Sequence, residues 1–173
     1  MNPLTMSIQN RLTTDYQTFL QTIDGLSEEQ FRQQPNGKWS VADTMQHLYL
    51  SARPVVRLMA GPREVLLQWG EADRPSRSYE VIAETYRTVL ATGVKAPAAM
   101  SPRDEDVTDG RDVITERFVG VYQTLLEAAK EWSEDELDRY VIPHPALGKL
   151  TVREMLDFTS IHTQHHLALL PIQ

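Results

Sequence analysis

Five histidines, at positions 47, 144, 162, 165 and 166, are the residues of this chain best suited to chemistry, because it contains no cysteine. Without thiols there is no disulfide framework, no thiolate ligand and no cysteine nucleophile. A metal ion would have to be held by His, Asp, Glu or backbone oxygen. His162 and His166 stand four apart in the run His162-Thr163-Gln164-His165-His166. On a helix that spacing puts both imidazoles on one face, about 40° apart. Measured from Val152, a stripe of Met155, Thr159, Thr163, His166 and Leu170 forms, with His162 beside it between Phe158 and Leu169. Both rings therefore point at or beside a core, whereas His165 falls toward the stripe's edge, as a rim residue or an outer neighbour of the ligands.

Two buried imidazoles one turn apart, met by a third from a facing helix, suit a first-row divalent metal such as Zn, Ni, Fe or Co. The plainer reading is a core histidine bonded to a backbone carbonyl. The His-x-x-x-His spacing also lacks the glutamate after the first histidine that a zinc protease uses as its base.

The elements that must position these rings are helical. Leu4, Ile8, Leu12, Phe19, Ile23 and Leu26 recur at three- and four-residue steps. A second helix starts at the cap Ser40, with Asp43 three residues on, and carries Val41, Met45, Leu48, Ala52, Val55 and Met59 before Gly61-Pro62. Pro54 lies inside it and is expected to kink or break it. A shorter helix spans Tyr79 to Leu90, residues 100–110 read as a loop, and a long helix carries Ile114, Phe118, Val121, Tyr122, Leu125, Ala129 and Trp132. The last helix begins at the capping box Thr151-Val152-Arg153-Glu154 and continues to Leu170. No strand alternation is visible. The expectation is an all-α fold, a four-helix bundle with an inserted short helix, as one domain over residues 1–173.

A weak internal repeat sharpens this. Lys38-Trp39-Ser40-Val41-Ala42-Asp43 matches Lys149-Leu150-Thr151-Val152-Arg153-Glu154, and a further cap, Ser27 or Ser133, precedes each copy. His47 lies seven residues after its cap, and His162 and His166 lie eleven and fifteen after theirs. These offsets are successive turns of one helical face. A pseudo-twofold would then bring His47 to face the pair. Ser51 and Thr159 are candidates to orient a ligand's second ring nitrogen. His144, between Pro143 and Pro145, reads as a surface or capping residue of a loop, within possible reach of the metal mouth. Asp43 and Glu154 read as caps, and Trp69, Tyr79 and Tyr86 as core or substrate wall.

The segment Trp39-Ser40-Val41-Ala42-Asp43-Thr44-Met45-Gln46-His47-Leu48 resembles the first signature of the DinB/YfiT-like family. The stretch from His144 to Met155, continuing from Ile161 to Leu167, is similar to its second. The resemblance spans essentially the whole chain. It implies a four-helix bundle with a pseudo-twofold and a divalent metal ion on three histidines, which fall on His47, His162 and His166. Relatives are often homodimers, and some are transferases or isomerases that use a low-molecular-weight thiol. One departure is that Leu167-Ala168-Leu169-Leu170-Pro171 is apolar where many relatives place Gln or Arg.

Composition narrows the partners. A net charge of −7 without a basic face argues against nucleic acid. No apolar run approaches the ~20 residues that span a bilayer. The opening Met1-Asn2-Pro3-Leu4-Thr5 does not read as a signal peptide, which together with the absent cysteines suits a cytoplasmic protein. The expected function is a metal-dependent transferase that activates a thiol co-substrate or water toward a small molecule. The alternatives are a hydrolase on the same ligands and a non-catalytic binding dimer.

Overall fold

The computed structural model describes residues 3–172, with side chains from Thr5 onward; the places expected for Met1, Asn2 and the Leu4 side chain lie outside the described residues. In chain order the elements are α1 (Pro3–Ile23), α2 (Glu28–Arg32), α3 (Val41–Ala60), α4 (Arg63–Leu66), α5 (Tyr79–Leu90), α6 (Arg111–Lys130), α7 (Glu134–Arg139), β1 (Val141–His144), β2 (Gly148–Thr151) and α8 (Val152–Ala168). The fold is all-α apart from one small hairpin. None of the described helices is long and apolar enough to cross a membrane.

The order long helix, capped short helix, capped long helix occurs twice, as α1–α2–α3 and as α6–α7–α8. Ser27, Ser40, Ser133 and Thr151 each close a full capping box, satisfying amide groups that a helix start leaves free. The packing follows the same exchange. α1 lies on α8 as α6 lies on α3, and α2 lies on α3 as α7 lies on α8. Inside, Phe19, Phe118 and Tyr122 form an aromatic chain, with ring centroids 4.8 and 4.9 Å apart. Leu12, Met45, Leu48 and Leu125 are fully or almost fully buried around it.

Three expectations need correction. α3 runs unbroken through Pro54, because Leu48, Ala52, Val55 and Met59 bury along one face on both sides of it. That shared packing offsets the one lost backbone bond. Residues 141–151 form an antiparallel hairpin, with Val141 paired to Thr151 and His144 to Gly148. Its four-residue strands are too short to show alternation, and Gly148 takes the positive φ of 74° that its tight turn requires. The expected loop at 100–110 contains a single 3₁₀ turn at Asp104–Val107, and another, Ala98–Met100, ends at its first residue.

The segment between α3 and α6 is fastened to the bundle by charge. Glu154 is fully buried at the start of α8. Its carboxylate accepts from Thr151 N at 3.0 Å, from Arg74 at 2.5 and 3.0 Å, and from Arg77 N and Nε at 2.8 and 3.0 Å. The cap read from the sequence is thus also an anchor. Burial alone would favour the neutral acid, but these bonds from Arg74, Arg77 and Thr151 outweigh it and hold the Glu154 carboxyl down at about 2.

Glu154→Gln should therefore destabilise the protein by about 2 kcal/mol, lowering Tm by roughly 4–8 °C in calorimetry at pH 7. A depressed carboxyl stabilises above its unfolded pKa and loses that contribution as pH falls from about 4.5 toward 2. The variant should consequently lose less stability than the parent across that acid window.

Candidate metal centre

His47 occupies the second turn of α3, while His162 and His166 occupy successive turns near the end of α8. Because α3 and α8 face each other, the capping boxes that start both helices also set the depth of these rings. His47 Nε2 lies 3.0 Å from His162 Nε2, which lies 3.1 Å from His166 Nε2. The three rings meet edge to face, with centroids 4.7–4.9 Å apart. His47 and His162 are buried and His166 is partly so.

The tautomers follow from the surroundings. His47 Nδ1 donates to the Met100 carbonyl at 2.6 Å, so its Nε2 carries a lone pair. An imidazole nitrogen is donor or acceptor but never both. A proton on His162 Nε2 would have to be split between His47 and His166. One cation accepts lone pairs from all three nitrogens at once. At Zn–N bonds of about 2.0–2.1 Å, angles between 90° and tetrahedral place ligand nitrogens about 2.9–3.4 Å apart, a range that contains both close separations. All three ligand atoms lie within 4.8 Å of one another, so the donor set suits a divalent ion.

Electrostatics agree. Burial lowers the pKa of His47, against the Met100 hydrogen bond that favours its protonated form. Burial, then the neighbouring imidazoles, hold His162 well below its ordinary value, and burial with His47 and His165 takes His166 down to about 3. All three are neutral at pH 7, with lone pairs available to a metal.

The orienting group is one that sequence reasoning missed. Ser51 and Thr159, expected near the ligands' second nitrogens, donate instead to the carbonyls of His47 and Met155, four residues back, at 2.8 and 2.9 Å. Helical hydroxyls commonly satisfy themselves this way. The Met100 carbonyl does the work, and a backbone group 53 positions from His47 leaves no mark in side-chain spacing. Trp39 was overlooked as well. Its ring lies 4.7 Å from that of His47 and 6.1 Å from that of His166, covering the cluster. Its place beside the cap Ser40 was the available signal.

Other expected residues sort clearly. His165 is partly exposed, 5.0 Å from the His166 ring and 5.5 Å from the Tyr86 ring, and its ligand atoms do not join the cluster. Leu169 is 64% exposed just past the end of α8, so it does not flank His162 as expected. Tyr79 turns outward to Arg11 and Gln164, whereas Tyr86 and Trp69 line the cavity described next. His144 is not a free loop residue. It ends β1, its Nδ1 accepts from Ala146 N and Leu147 N at 3.0 Å each, and its ring packs 4.3 Å from that of Phe158.

A cavity of about 420 Å³ opens over the three histidines, a volume typical of small-molecule sites. Leu48, Val55, Leu58, Ile142 and Phe158 supply apolar wall, and Lys95 is at its exposed edge. Among the described residues, no aspartate or glutamate lines it. That contrasts with a net charge of −7 on the chain as a whole.

The chain is similar to the uncharacterized protein YuaE of Bacillus subtilis (strain 168), 27% identical over 147 residues that cover 84% of each chain. The family model of the DinB superfamily, whose members bind divalent metals, matches residues 11–170. That span contains all five histidines and runs from the first long helix through the last, so the chain belongs to the DinB superfamily.

Proposed function

We propose that His47, His162 and His166 hold one divalent metal ion through Nε2, and that the cavity above them is the site of a transferase acting with a low-molecular-weight thiol or water. The observation that carries this reading is the convergence of three neutral imidazole nitrogens beneath an apolar cavity. When bound, such an ion supplies Lewis acidity that lowers the pKa of a thiol or of water. The chain has no cysteine, so the thiol is a co-substrate. The Met100 carbonyl fixes the His47 ring, and Trp39 and Phe158 keep bulk water from the cluster. With no carboxylate lining the cavity among the described residues, His165 is the rim imidazole placed to take up the released proton. Burial lowers its pKa, so a ring nitrogen is free to accept. The apolar walls favour an organic thiol with an organic electrophile over water alone. Hydrolysis on the same residues is the reading that remains if thiols do not bind.

Elemental analysis of untagged protein should find about one equivalent of divalent metal, lost in His162→Ala while far-UV circular dichroism is unchanged. Full stoichiometry in the variant, or no metal in the parent after incubation with Zn, Ni and Fe, overturns the site. A cobalt-substituted form should change its visible spectrum when a low-molecular-weight thiol is added. An unchanged spectrum, with ester hydrolysis instead, would select the hydrolase.

The depressed histidine pKa values also predict the pH response. Three ordinary imidazoles would weaken metal binding roughly fiftyfold between pH 7.5 and 6.0 by protonation. Because His162 and His166 stay neutral across that interval and burial lowers the pKa of His47 as well, the dissociation constant from competition titrations should change less than about fourfold, the effect of one ordinary imidazole.

A further inference from the structure

The reading of the cavity as a substrate pocket leaves one of its polar residues without a task, and the next step rests on that reading. His144 lines the cavity from the end of β1, outside the three-histidine cluster. Its Nδ1 is occupied by two backbone donors, Ala146 N and Leu147 N, both at 3.0 Å. A nitrogen that accepts two N–H groups carries no proton, so the ring's proton sits on Nε2. With the Nδ1 edge turned into the hairpin, the opposite edge is the one left to the cavity. Nε2 has no hydrogen-bond partner among the described residues. The Phe158 ring packs 4.3 Å from His144 on one side and 5.2 Å from His162 on the other, so a single aromatic ring links this donor to the cluster.

The rest of the lining decides what such a donor meets. The walls are mostly aliphatic and aromatic, and among the described residues no carboxylate competes for the N–H. The hydroxyls of Ser51 and Thr159 already donate to backbone carbonyls. A ligand that buries its body here must bring its own acceptor, since a buried donor left unpaired costs about 1–3 kcal/mol. We propose that His144 is a substrate-binding residue, locked with its proton on Nε2 by the hairpin turn, and that the cavity takes an apolar small molecule whose oxygen acceptor that N–H holds beside the three histidines.

The test uses 4-phenyl-2-butanone and its carbon isostere 2-methyl-4-phenylbut-1-ene, in which CH₂ replaces the carbonyl oxygen. Binding is read from the fluorescence of Trp39 and Trp69, which line the cavity. His144→Asn keeps a side-chain oxygen where Nδ1 stood, able to accept from the turn, but its shorter amide ends near the place of the ring's Cδ2, so no donor remains at the position of Nε2. The affinity ratio of ketone to alkene should fall about three- to tenfold in His144→Asn, the effect of one hydrogen bond, with metal content unchanged. An unchanged ratio, or binding of neither compound, overturns the proposal. Metal is measured on the same samples. A parent without metal refutes the metal centre while the ratio still reads His144 by itself. Nitrogen-15 NMR of the parent protein gives a check that needs no variant. Nδ1 should show the shift of a lone-pair nitrogen and Nε2 that of a protonated one, and the opposite tautomer overturns the proposal.

Discussion

Three imidazole nitrogens held within 4.8 Å of one another, with His162 about 3 Å from each of the other two and the group largely away from water, impose the constraint that the rest of this molecule serves. Neutral rings left to themselves would turn so that each lone-pair nitrogen found a donor. Here the His47–Met100 bond removes one freedom, and the Trp39 and Phe158 rings remove others by occupying the space. Such an arrangement is stable only when the helices that carry the rings cannot slide.

The attachment of α8 meets that need. Arg11 bonds Asp157 at 2.6 Å, Asp15 accepts from Ser160 and Gln164 at 2.5 and 2.9 Å, and Tyr122 bonds Thr163. These contacts tie α8 to α1 and α6, the last of them through a tyrosine that also lines the cavity. At its start, Glu154 binds the segment between α3 and α6 through Arg74 and Arg77. One end of the helix thus fixes the chain that carries Met100, and the other end carries the rings that Met100 helps to orient. Fold stability and site geometry run through the same element.

Among the described residues, no carboxylate lines the cavity above the cluster. A dication held there would keep its charge for a ligand, whereas an acidic neighbour would neutralise part of it. The hairpin that closes one wall places His144 there with its tautomer set by backbone amides. Its pKa, which burial takes down to about 4, leaves it a neutral donor beside the cluster.

Much of this was legible in the residues alone. The 3.6-residue period put His162 and His166 on one inward face, and four capping signals marked helix starts within a residue or so. Local rules suffice for both, because a helix repeats the same geometry every turn and a cap involves residues three apart. The repeat extended that logic to His47, since two similar halves that pack by a twofold bring equivalent faces together. What spacing could not reveal was contact between distant backbone and side chain: the Met100 carbonyl on His47, the arginines on Glu154, the Trp39 ring over the cluster and the turn that locks His144. Neither backbone carbonyls nor amides vary with residue type, so their use as orienting groups leaves no pattern to read. Sequence by itself determined which rings face inward and at what depth. Only the tertiary structure decided which atoms hold them there, because those partners are brought near by packing rather than by order along the chain.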